Sequence, residues 1–312
     1  MKRREMIERT AAFGIMGAVP ALLVKALKVP SAGTESAAGD APRAEAPLQP
    51  PSAGAIPVAF LVSEGAVVID FCGPWEVFQD ANVPGSDSGF RLYTVAESTK
   101  PIRASGGMQI VPDYSFVTAP APKVIVIPAQ SAPSEATLEW IRKATKSADV
   151  TMSVCTGAFL LAKTGLLAGK AATTHHDSYR GFAMQFPDIH LKRGARFVEE
   201  GNLATAGGLS SGIDLALRVV ERYYGREAAE KTAYAMEYQG QGWKNPDSNE
   251  VYARERESTE ALALCPVCEM DVDPKTALSY VYEGTTYYFC STDHKQQFEA
   301  APEKFMRASR QR

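Results

Sequence analysis

Residues 150–162, VTMSVCTGAFLLA, contain the pattern that decides the fold. An apolar strand over 150–154 is followed at once by small residues and by a helical run from Thr156 to Leu167. The runs PVAFLV at 57–62 and KVIVIP at 123–128 also lack polar alternation, which is typical of strands covered on both faces. Strands that alternate with helices through short loops predict an α/β domain with a mostly parallel sheet.

The rest of this domain follows the same alternation. A hairpin is expected where Phe197-Val198 and residues 203–206 flank a turn at 200–202. Further strands are expected at 90–95 and 171–174, and further helices at 71–81, 136–147, 213–224 and 226–238. A domain over residues 56–243 is long enough to bury about 70% of its unfolded surface in one core.

Changes in composition predict five segments in the 312 residues. They are an export signal at 1–33, a flexible linker at 34–55, the α/β domain at 56–243, a second linker at 244–260 and a small module at 261–312. The first linker is rich in Ala, Pro, Gly and Ser, so it cannot bury enough apolar surface to offset its ordering entropy. The second linker is polar and charged.

The N-terminal segment has the layout of an export signal. Its charged start contains Arg3-Arg4, a mostly apolar run extends from Thr10 to Val24, and small residues follow at 30–33. The paired arginines, followed by an acidic and two apolar residues, indicate a twin-arginine signal, whose route carries proteins already folded. The run is short for a membrane span of about 20 apolar residues, so we expect a periplasmic protein without a stable span after signal removal. The alternative is an uncleaved membrane anchor.

Composition excludes several classes of protein. Thirty-three Lys+Arg and 36 Asp+Glu give a formal net charge of −3, and no helix-turn-helix segment is visible, so we expect no nucleic-acid partner. Hydrophobic residues make up 45% and charged residues 22%, which is an ordinary globular composition. Five cysteines are too few and too unevenly spread for a disulfide scaffold.

Cys155 lies at the corner between a predicted strand and a predicted helix, and it is the strongest catalytic candidate. Thr156, Gly157 and Ala158 permit a tight turn of the nucleophile-elbow kind. A thiol there meets the unpaired N–H groups and the positive dipole end of the helix, which can lower a cysteine pKa from about 8.5 to between about 3.5 and 7.5. The same N–H groups can hold an oxyanion. The alternative is a buried, inert cysteine at a crowded turn.

Four motifs occur in an order that resembles the ThiJ/PfpI superfamily. They are VVIDFCGPWEVF at 67–78, SVCTGA at 153–158, ATTH at 172–175 and GNLATAGGLSSGIDLAL at 201–217. Within that superfamily, the sequence is most similar to isonitrile hydratases and to the amidase-like domain of some AraC-type regulators. The resemblance covers about residues 56 to 243, and it implies a flavodoxin-like sandwich and a homodimer.

The resemblance also implies the site residues. The nucleophile falls on Cys155, and the carboxyl group that faces it falls on Asp70, which would keep its proton because the neighbouring thiolate raises its pKa. Thr156 would supply an N–H and a hydroxyl to the oxyanion, and His175 would shuttle protons. The residues alone favour the alternatives, which are a helix N-cap or turn residue for Asp70 and a satisfied polar group for His175.

Three positions depart from or add to the family pattern. Relatives usually place Trp after the histidine, but His176 stands here and makes the pocket wall more polar. Ala129-Gln130 replace the usual glycines, which leaves the second oxyanion donor open, with the Gln130 N–H as one choice. Cys72 is either a packing residue or a resolving thiol.

For activity, the resemblance implies attack by the Cys155 thiolate on the carbon of a small electrophilic substrate. An isonitrile would form a thioimidate that water converts to an N-substituted formamide, with Asp70 moving the protons. No cofactor is required at the cysteine. The alternatives are a glyoxalase-like or deglycase-like activity on aldehydes, and a non-catalytic redox sensor, metal sensor or metal-handling protein.

The C-terminal module has the pattern of a metal site. Cys265 and Cys268 are separated by two residues, and Cys290 and His294 lie i, i+4 on one predicted helical face. Three sulfurs and one imidazole suit Zn²⁺, and thiolates also suit Cu(I). A region of about 45 residues has a core too small to fold comfortably without such an ion. The stretch resembles the YHS domain, a relative of TRASH-type heavy-metal modules, and a disulfide between two of the cysteines is the alternative.

Overall fold

The computed structural model describes residues 46–81, 89–254, 258–259 and 261–306. The export signal predicted at 1–33 lies outside the described residues, as does most of the linker predicted at 34–55. Within the described ranges, no helix combines the length and the apolar character that a bilayer crossing requires.

A seven-stranded sheet forms the centre of the larger domain. Its strands are β1 (Ile56–Leu61), β2 (Phe90–Ala96), β3 (Tyr114–Ser115), β4 (Val124–Ile127), β5 (Val150–Val154), β6 (Phe197–Glu200) and β7 (Leu203–Ala206). They lie in the order β6-β7-β5-β4-β1-β2-β3, and every neighbouring pair is parallel except the β6–β7 hairpin. The mostly parallel sheet and the hairpin predicted from the sequence are both confirmed.

Helices cover both faces of this sheet. They are α1 (Val68–Asp80), α2 (Glu135–Thr145), α3 (Gly157–Lys163), α4 (Tyr179–Gln185), α5 (Ser211–Tyr224) and α6 (Arg226–Ala235). Residues of α1, α5 and α6 belong to one core and residues of α2, α3 and α4 to the other. Because side chains alternate along a strand, Val58 and Phe60 of β1 face the first core, whereas Ala59 and Leu61 face the second. The predicted flavodoxin-like sandwich is confirmed.

Two helix boundaries differ from the sequence prediction and affect the candidate site. Helix α1 begins at Val68, earlier than predicted, so that Asp70 lies in its first turn. Helix α3 ends at Lys163, earlier than predicted, and Gly165 then turns the chain with a φ of +81°. Two short strand pairs lie outside the main sheet: Ile102–Arg103 with Gln109–Ile110, and Ala171–Ala172 with His190–Leu191.

Residues 261–306 form a small module. Its elements are β8 (Ala263–Leu264), β9 (Asp271–Val272), β10 (Leu278–Tyr282), β11 (Thr285–Phe289), α7 (Thr292–Ala300) and α8 (Pro302–Phe305). Phe298 is fully buried and packs against the rings of Tyr280 and Tyr287. Met184 of α4 packs against the same cluster, so the larger domain supplies part of the small core.

Candidate active site and metal centre

Cys155 occupies a strained corner directly after strand β5. Its φ of +58° lies in the left-handed region, which non-glycine residues seldom adopt. The corner is tightly packed, because a Cβ at Gly157 would overlap the carbonyl oxygen of Ile127. The Cys155 N–H donates to the Gly207 carbonyl at 2.8 Å, and the Thr174 hydroxyl donates to the Cys155 carbonyl at 2.9 Å. The tight turn predicted for a nucleophile elbow is confirmed.

Asp70 faces this thiol from the first turn of α1. Its side chain is fully buried, and one carboxylate oxygen accepts the Ala129 N–H at 3.1 Å, whereas the other has no hydrogen-bond partner among the described residues. Burial raises the pKa of Asp70 to about 7, although the Ala129 N–H and the Cys155 thiol act in the opposite direction. A raised pKa was the expectation from the sequence, but its main cause is desolvation rather than a neighbouring charge.

The thiol of Cys155 differs from the sequence expectation. Burial, followed by the negative charge of Asp70, raises the pKa of the thiol to about 12, and hydrogen bonds to the sulfur offset this only in part. The expected low pKa is therefore wrong. The residue is 8% exposed, so desolvation outweighs the N–H groups of a helix that has only seven residues. At neutral pH the pair is a protonated thiol beside a carboxyl group that titrates near pH 7.

Three donors hydrogen-bond to the Cys155 sulfur. They are the backbone N–H groups of Thr156 and Leu209 and the Thr156 hydroxyl. Thr156 is one of the predicted site residues and its role toward an oxyanion stays a prediction, whereas Leu209 was missed. The signal available in the sequence was the pair Gly207-Gly208, which lets the chain approach the cysteine closely before Leu209 turns with a φ of +37°. A role for the Gln130 N–H stays a prediction.

His175 lies in a pocket of about 150 Å³ near this corner. Its ring packs so closely against Gly208 that an added Cβ would collide with it. Thr174 and Leu209 also line the pocket, and both contact Cys155, which is itself absent from the lining residues. The structure thus brings His175 next to the neighbours of the cysteine, and its role as a proton shuttle stays a prediction.

Other residues that line this pocket were missed from the sequence. Arg196 donates to Asp214 at 2.6 Å and to Asn249 at 3.2 Å, and Tyr252 stacks on His176 with ring centroids 4.6 Å apart. Asn249 and Tyr252 belong to the segment predicted as the second linker. That part of the segment packs against the larger domain and helps to form the pocket.

Cys72 has the environment of a packing residue. Its side chain contacts the first core, and burial, followed by the charge of Glu76, raises the pKa of its thiol. Thiol–disulfide exchange requires a thiolate, so these surroundings favour the packing role over that of a resolving thiol.

The four predicted metal ligands come together in the small module. The ligand atoms of Cys265, Cys268, Cys290 and His294 all lie within 4.8 Å of one another. His294 Nδ1 lies 3.1 Å from the Cys290 sulfur and 3.8 Å from the Cys265 sulfur, and the Cys268 and Cys290 sulfurs are 3.5 Å apart. A tetrahedral Zn²⁺ with bonds of about 2.0–2.3 Å separates its ligands by about 3.3–3.8 Å. The donor set therefore fits a single ion.

Thiols rather than a disulfide form this cluster. All five cysteines are free, and the 3.5 Å between the Cys268 and Cys290 sulfurs exceeds a disulfide bond of about 2.05 Å. A hydrogen bond from Cys268, with help from backbone N–H groups, lowers the pKa of Cys265. A lowered pKa favours the thiolate, which is the form that binds a metal ion.

Glu269 joins the cysteine knuckle to the larger domain. It directly follows Cys268, adopts a φ of +63° and is 4% exposed. Its carboxylate lies 3.7 Å from the guanidinium of Arg180 and 4.0 Å from that of Arg193. Arg180 also donates to the Phe305 carbonyl. We refer to Glu269, Arg180 and Arg193 as the Glu269 clasp. It docks the small module on helix α4.

The family model described as DJ-1/PfpI family matches residues 57–222. The chain belongs to the DJ-1/PfpI family. The model of the YHS domain matches residues 264–309. Both resemblances noted in the sequence are therefore confirmed, and the small module is a YHS domain that accompanies the DJ-1/PfpI domain.

Known relatives of the DJ-1/PfpI domain include an enzyme. Isonitrile hydratase from Pseudomonas putida is 32% identical over 189 residues, which cover 59% of this chain and 79% of that protein. Protein DJ-1alpha from Drosophila melanogaster is 30% identical over 156 residues, which cover 46% of this chain and 70% of that protein. The crystal structure of a ThiJ/PfpI family protein from Pseudomonas syringae matches with a TM-score of 0.53 at 29% identity, over 60% of this chain and 77% of that chain.

Proposed function

We propose that this protein is a cysteine-dependent enzyme that adds water to isonitriles, with Cys155 as the nucleophile and Asp70 as the group that moves protons. The observation that carries the proposal is the pairing of a cysteine on a strained corner with a fully buried carboxyl group whose pKa is about 7. The 32% identity to isonitrile hydratase supports the choice of substrate class.

In the first half of the reaction, the Cys155 sulfur bonds to the terminal carbon of R–N≡C. The thiol proton passes to Asp70, because a carboxyl group with a pKa of about 7 is mostly ionised at pH 8, whereas the thiol is not. Asp70 then delivers this proton to the former isonitrile carbon, which gives the thioimidate R–N=CH–S–Cys. The donors of Thr156 and Leu209 stabilise the negative charge on the attacking sulfur.

In the second half, water adds to the thioimidate carbon. Its oxygen bonds to that carbon, and one of its protons passes through Asp70 to the substrate nitrogen, which gives R–NH–CH(OH)–S–Cys. The C–S bond then breaks, the hydroxyl proton returns through Asp70 to the sulfur, and R–NH–CHO leaves. One isonitrile and one water give one N-substituted formamide, and no oxidant or cofactor is consumed. His175, in the adjoining pocket, is proposed to exchange protons between Asp70 and solvent.

The state of the thiol favours this enzyme over a redox sensor. Redox-sensing cysteines have a low pKa and are accessible to solvent, whereas Cys155 is buried and its thiol pKa is raised. A thiol of this kind reacts when a bound substrate and a neighbouring base are both present. Addition to an aldehyde would use the same sulfur and base, and it is therefore a competing outcome of the test.

The test is turnover of a small alkyl isonitrile by the full-length protein, with the formamide product measured by mass spectrometry. Cys155→Ala is expected to abolish turnover, and Cys72→Ala, which removes the other thiol of the domain, is the matched control and should retain it. Asp70→Asn is expected to lower kcat by a factor of about 10² to 10⁴. In the wild type, kcat should rise with pH as Asp70 ionises near pH 7. Full turnover by Cys155→Ala, or turnover of glyoxals without any formamide from isonitriles, would contradict the proposal.

The YHS domain is proposed to bind Zn²⁺, with Cu(I) as the competing ion, through Cys265, Cys268, Cys290 and His294. Three sulfurs and an imidazole at tetrahedral spacing suit Zn²⁺, and the sulfurs alone would suit Cu(I). The ion would contribute folding free energy to a module that has a small core. It would take no part in the chemistry at Cys155. Elemental analysis of the purified full-length chain distinguishes the two ions.

Export is proposed from the pattern of the N-terminal segment, and assembly from the family resemblance. We propose a twin-arginine route to the periplasm, and replacement of Arg3-Arg4 by two lysines should leave the protein in the cytoplasmic fraction. We also propose a homodimer, whose mass by light scattering would be twice that of the mature chain. Recovery of the two-lysine variant in the periplasm would contradict the proposed export route. A monomeric mass at micromolar concentration would contradict the proposed homodimer.

A further inference from the structure

We infer that His175, His176 and Asp177 form a second metal site, which binds a divalent first-row cation such as Zn²⁺ or Fe²⁺ in the wall of the pocket beside Cys155. The site is separate from the cysteine cluster of the YHS domain, and the inference does not depend on the isonitrile reaction. One ligand atom from each of the three residues lies within 4.8 Å of the other two. Two imidazoles and one carboxylate are a donor set that both Zn²⁺ and Fe²⁺ bind in proteins.

The distances within this cluster are close to those of a metal shell. His176 Nε2 lies 3.3 Å from one Asp177 oxygen, and His175 Nδ1 lies 3.8 Å from the other. Ligands of a tetrahedral ion with bonds of about 2.05 Å lie about 3.3 Å apart, a spacing that the His176 distance matches and the His175 distance exceeds. His175 Nδ1 accepts the Asp177 N–H at 3.2 Å, so this nitrogen carries a lone pair, and an ion bound there would replace the hydrogen bond.

The local backbone holds the three side chains together. They lie on one 3₁₀ turn, His176–Ser178, and on the residue before it. The centroids of the two imidazole rings lie 4.4 Å apart at an interplanar angle of 30°, and Tyr252 also stacks on His176. The side chains of His175, His176 and Asp177 are 18%, 33% and 38% exposed, so an ion can reach them. The ligands are therefore preorganised on one surface and accessible from solvent.

The pocket provides the rest of the coordination shell. Its volume of about 150 Å³ accommodates several waters or one small ligand. The guanidinium of Arg196, which also lines the pocket, is paired with the buried carboxylate of Asp214 at 2.5 Å, so its charge does not exclude a cation. Three protein ligands leave at least one position for water or for a small ligand with an oxygen donor, as in catalytic rather than structural zinc sites.

The test is titration of the chelator-treated full-length protein with Co²⁺, read by absorption spectroscopy. Cobalt in the cysteine cluster gives strong sulfur-to-metal charge transfer, whereas cobalt bound by nitrogen and oxygen gives only weak visible bands. We expect two equivalents, one of each kind. His176→Phe, which keeps a ring against Tyr252, and Asp177→Asn should each remove the weak component and spare the charge transfer. His190→Ala, which removes an exposed histidine elsewhere, is the matched control and should keep both components.

A second measurement uses the wild-type protein alone. The chain has four histidines, so the ring signals in a nitrogen–proton NMR spectrum can be followed individually during Zn²⁺ titration. The thiolate-bound equivalent should shift the ring of His294, and the other should shift the rings of His175 and His176 but not that of His190. The inference would be overturned if the protein bound only the thiolate-bound equivalent of metal. It would also be overturned if the nitrogen–oxygen component persisted in both His176→Phe and Asp177→Asn.

Discussion

Replacing Asp70 by Asn is expected to make the DJ-1/PfpI domain more stable at pH 8 and to leave its stability nearly unchanged in strong acid. The carboxyl group is fully buried, and burial raises its pKa from an ordinary value of 3.8 to about 7. Between these two values the folded protein binds a proton that the unfolded chain has released. The contribution of Asp70 to stability is therefore fully present below pH 3.8 and is lost as the pH rises through 7.

The size of the effect follows from the difference between the two pKa values. From 3.8 to about 7, at 1.36 kcal/mol per pH unit, the ionised state of Asp70 costs about 4 kcal/mol of unfolding free energy at pH 8. About 2.5 kcal/mol of this cost develops between pH 5 and pH 8, because at pH 5 the unfolded carboxyl is already ionised. Asn avoids the cost, and its amide oxygen can still accept the Ala129 N–H.

Urea unfolding of the wild type and of Asp70→Asn at pH 5 and pH 8 measures the prediction. All three tryptophans (Trp75, Trp140 and Trp243) precede the YHS domain, so their fluorescence reports unfolding outside that domain. The variant should gain about 2.5 kcal/mol relative to the wild type between pH 5 and pH 8. Asp188→Asn, which removes an exposed carboxyl group, is the control and should show no such gain. Equal pH dependence in the wild type and Asp70→Asn would refute the reasoning.

Three further predictions test the corner and the metal centre. Iodoacetamide should label Cys155 at pH 8 about 10³ times more slowly than a free thiol, because a pKa of about 12 leaves only about one Cys155 side chain in 10⁴ as a thiolate. Asp70→Asn should accelerate this labelling, because it removes the negative charge that raises the thiol pKa. Peptide mass spectrometry measures the labelling rate. Gly157→Ala places a Cβ against a neighbouring carbonyl and should cost about 1–3 kcal/mol in urea unfolding, whereas Gly181→Ala, with no atom within 4 Å of the new Cβ, should cost nothing. Cys290→Ser should remove the thiolate-bound metal, which elemental analysis measures. The corresponding prediction would be contradicted by rapid labelling of wild-type Cys155, by an unaltered urea midpoint in Gly157→Ala, or by full metal content in Cys290→Ser.

The features that the sequence predicted correctly depend on short-range patterns. The apolar run 150–154 followed by Cys-Thr-Gly-Ala marks both a buried strand and a tight corner, because few other residues fit where the backbone turns so sharply. The clustering of the four predicted metal ligands has the same origin. The spacing of Cys265 and Cys268 and that of Cys290 and His294 are local, and one ion can bind both pairs.

The features that it could not predict depend on residues far apart in the chain. The thiol pKa of Cys155 is set by how deeply the corner is buried and by Asp70, which comes from a helix early in the chain. A local view identifies only the nearby helix N-terminus, which favours the opposite shift. Asn249 similarly reads as part of a polar linker, yet it contacts Arg196. Composition describes a segment and does not show what it packs against.

The Glu269 clasp means that the two domains are not independent parts that can be studied one at a time. A chain cut between them would leave Arg180 and Arg193 without the carboxylate that lies between them. It would also uncover Met184, an apolar side chain on the same helix. A truncated DJ-1/PfpI domain would therefore have a new patch of positive charge and exposed hydrocarbon. Any change in its solubility or activity would reflect this newly exposed surface as well as the loss of the YHS domain.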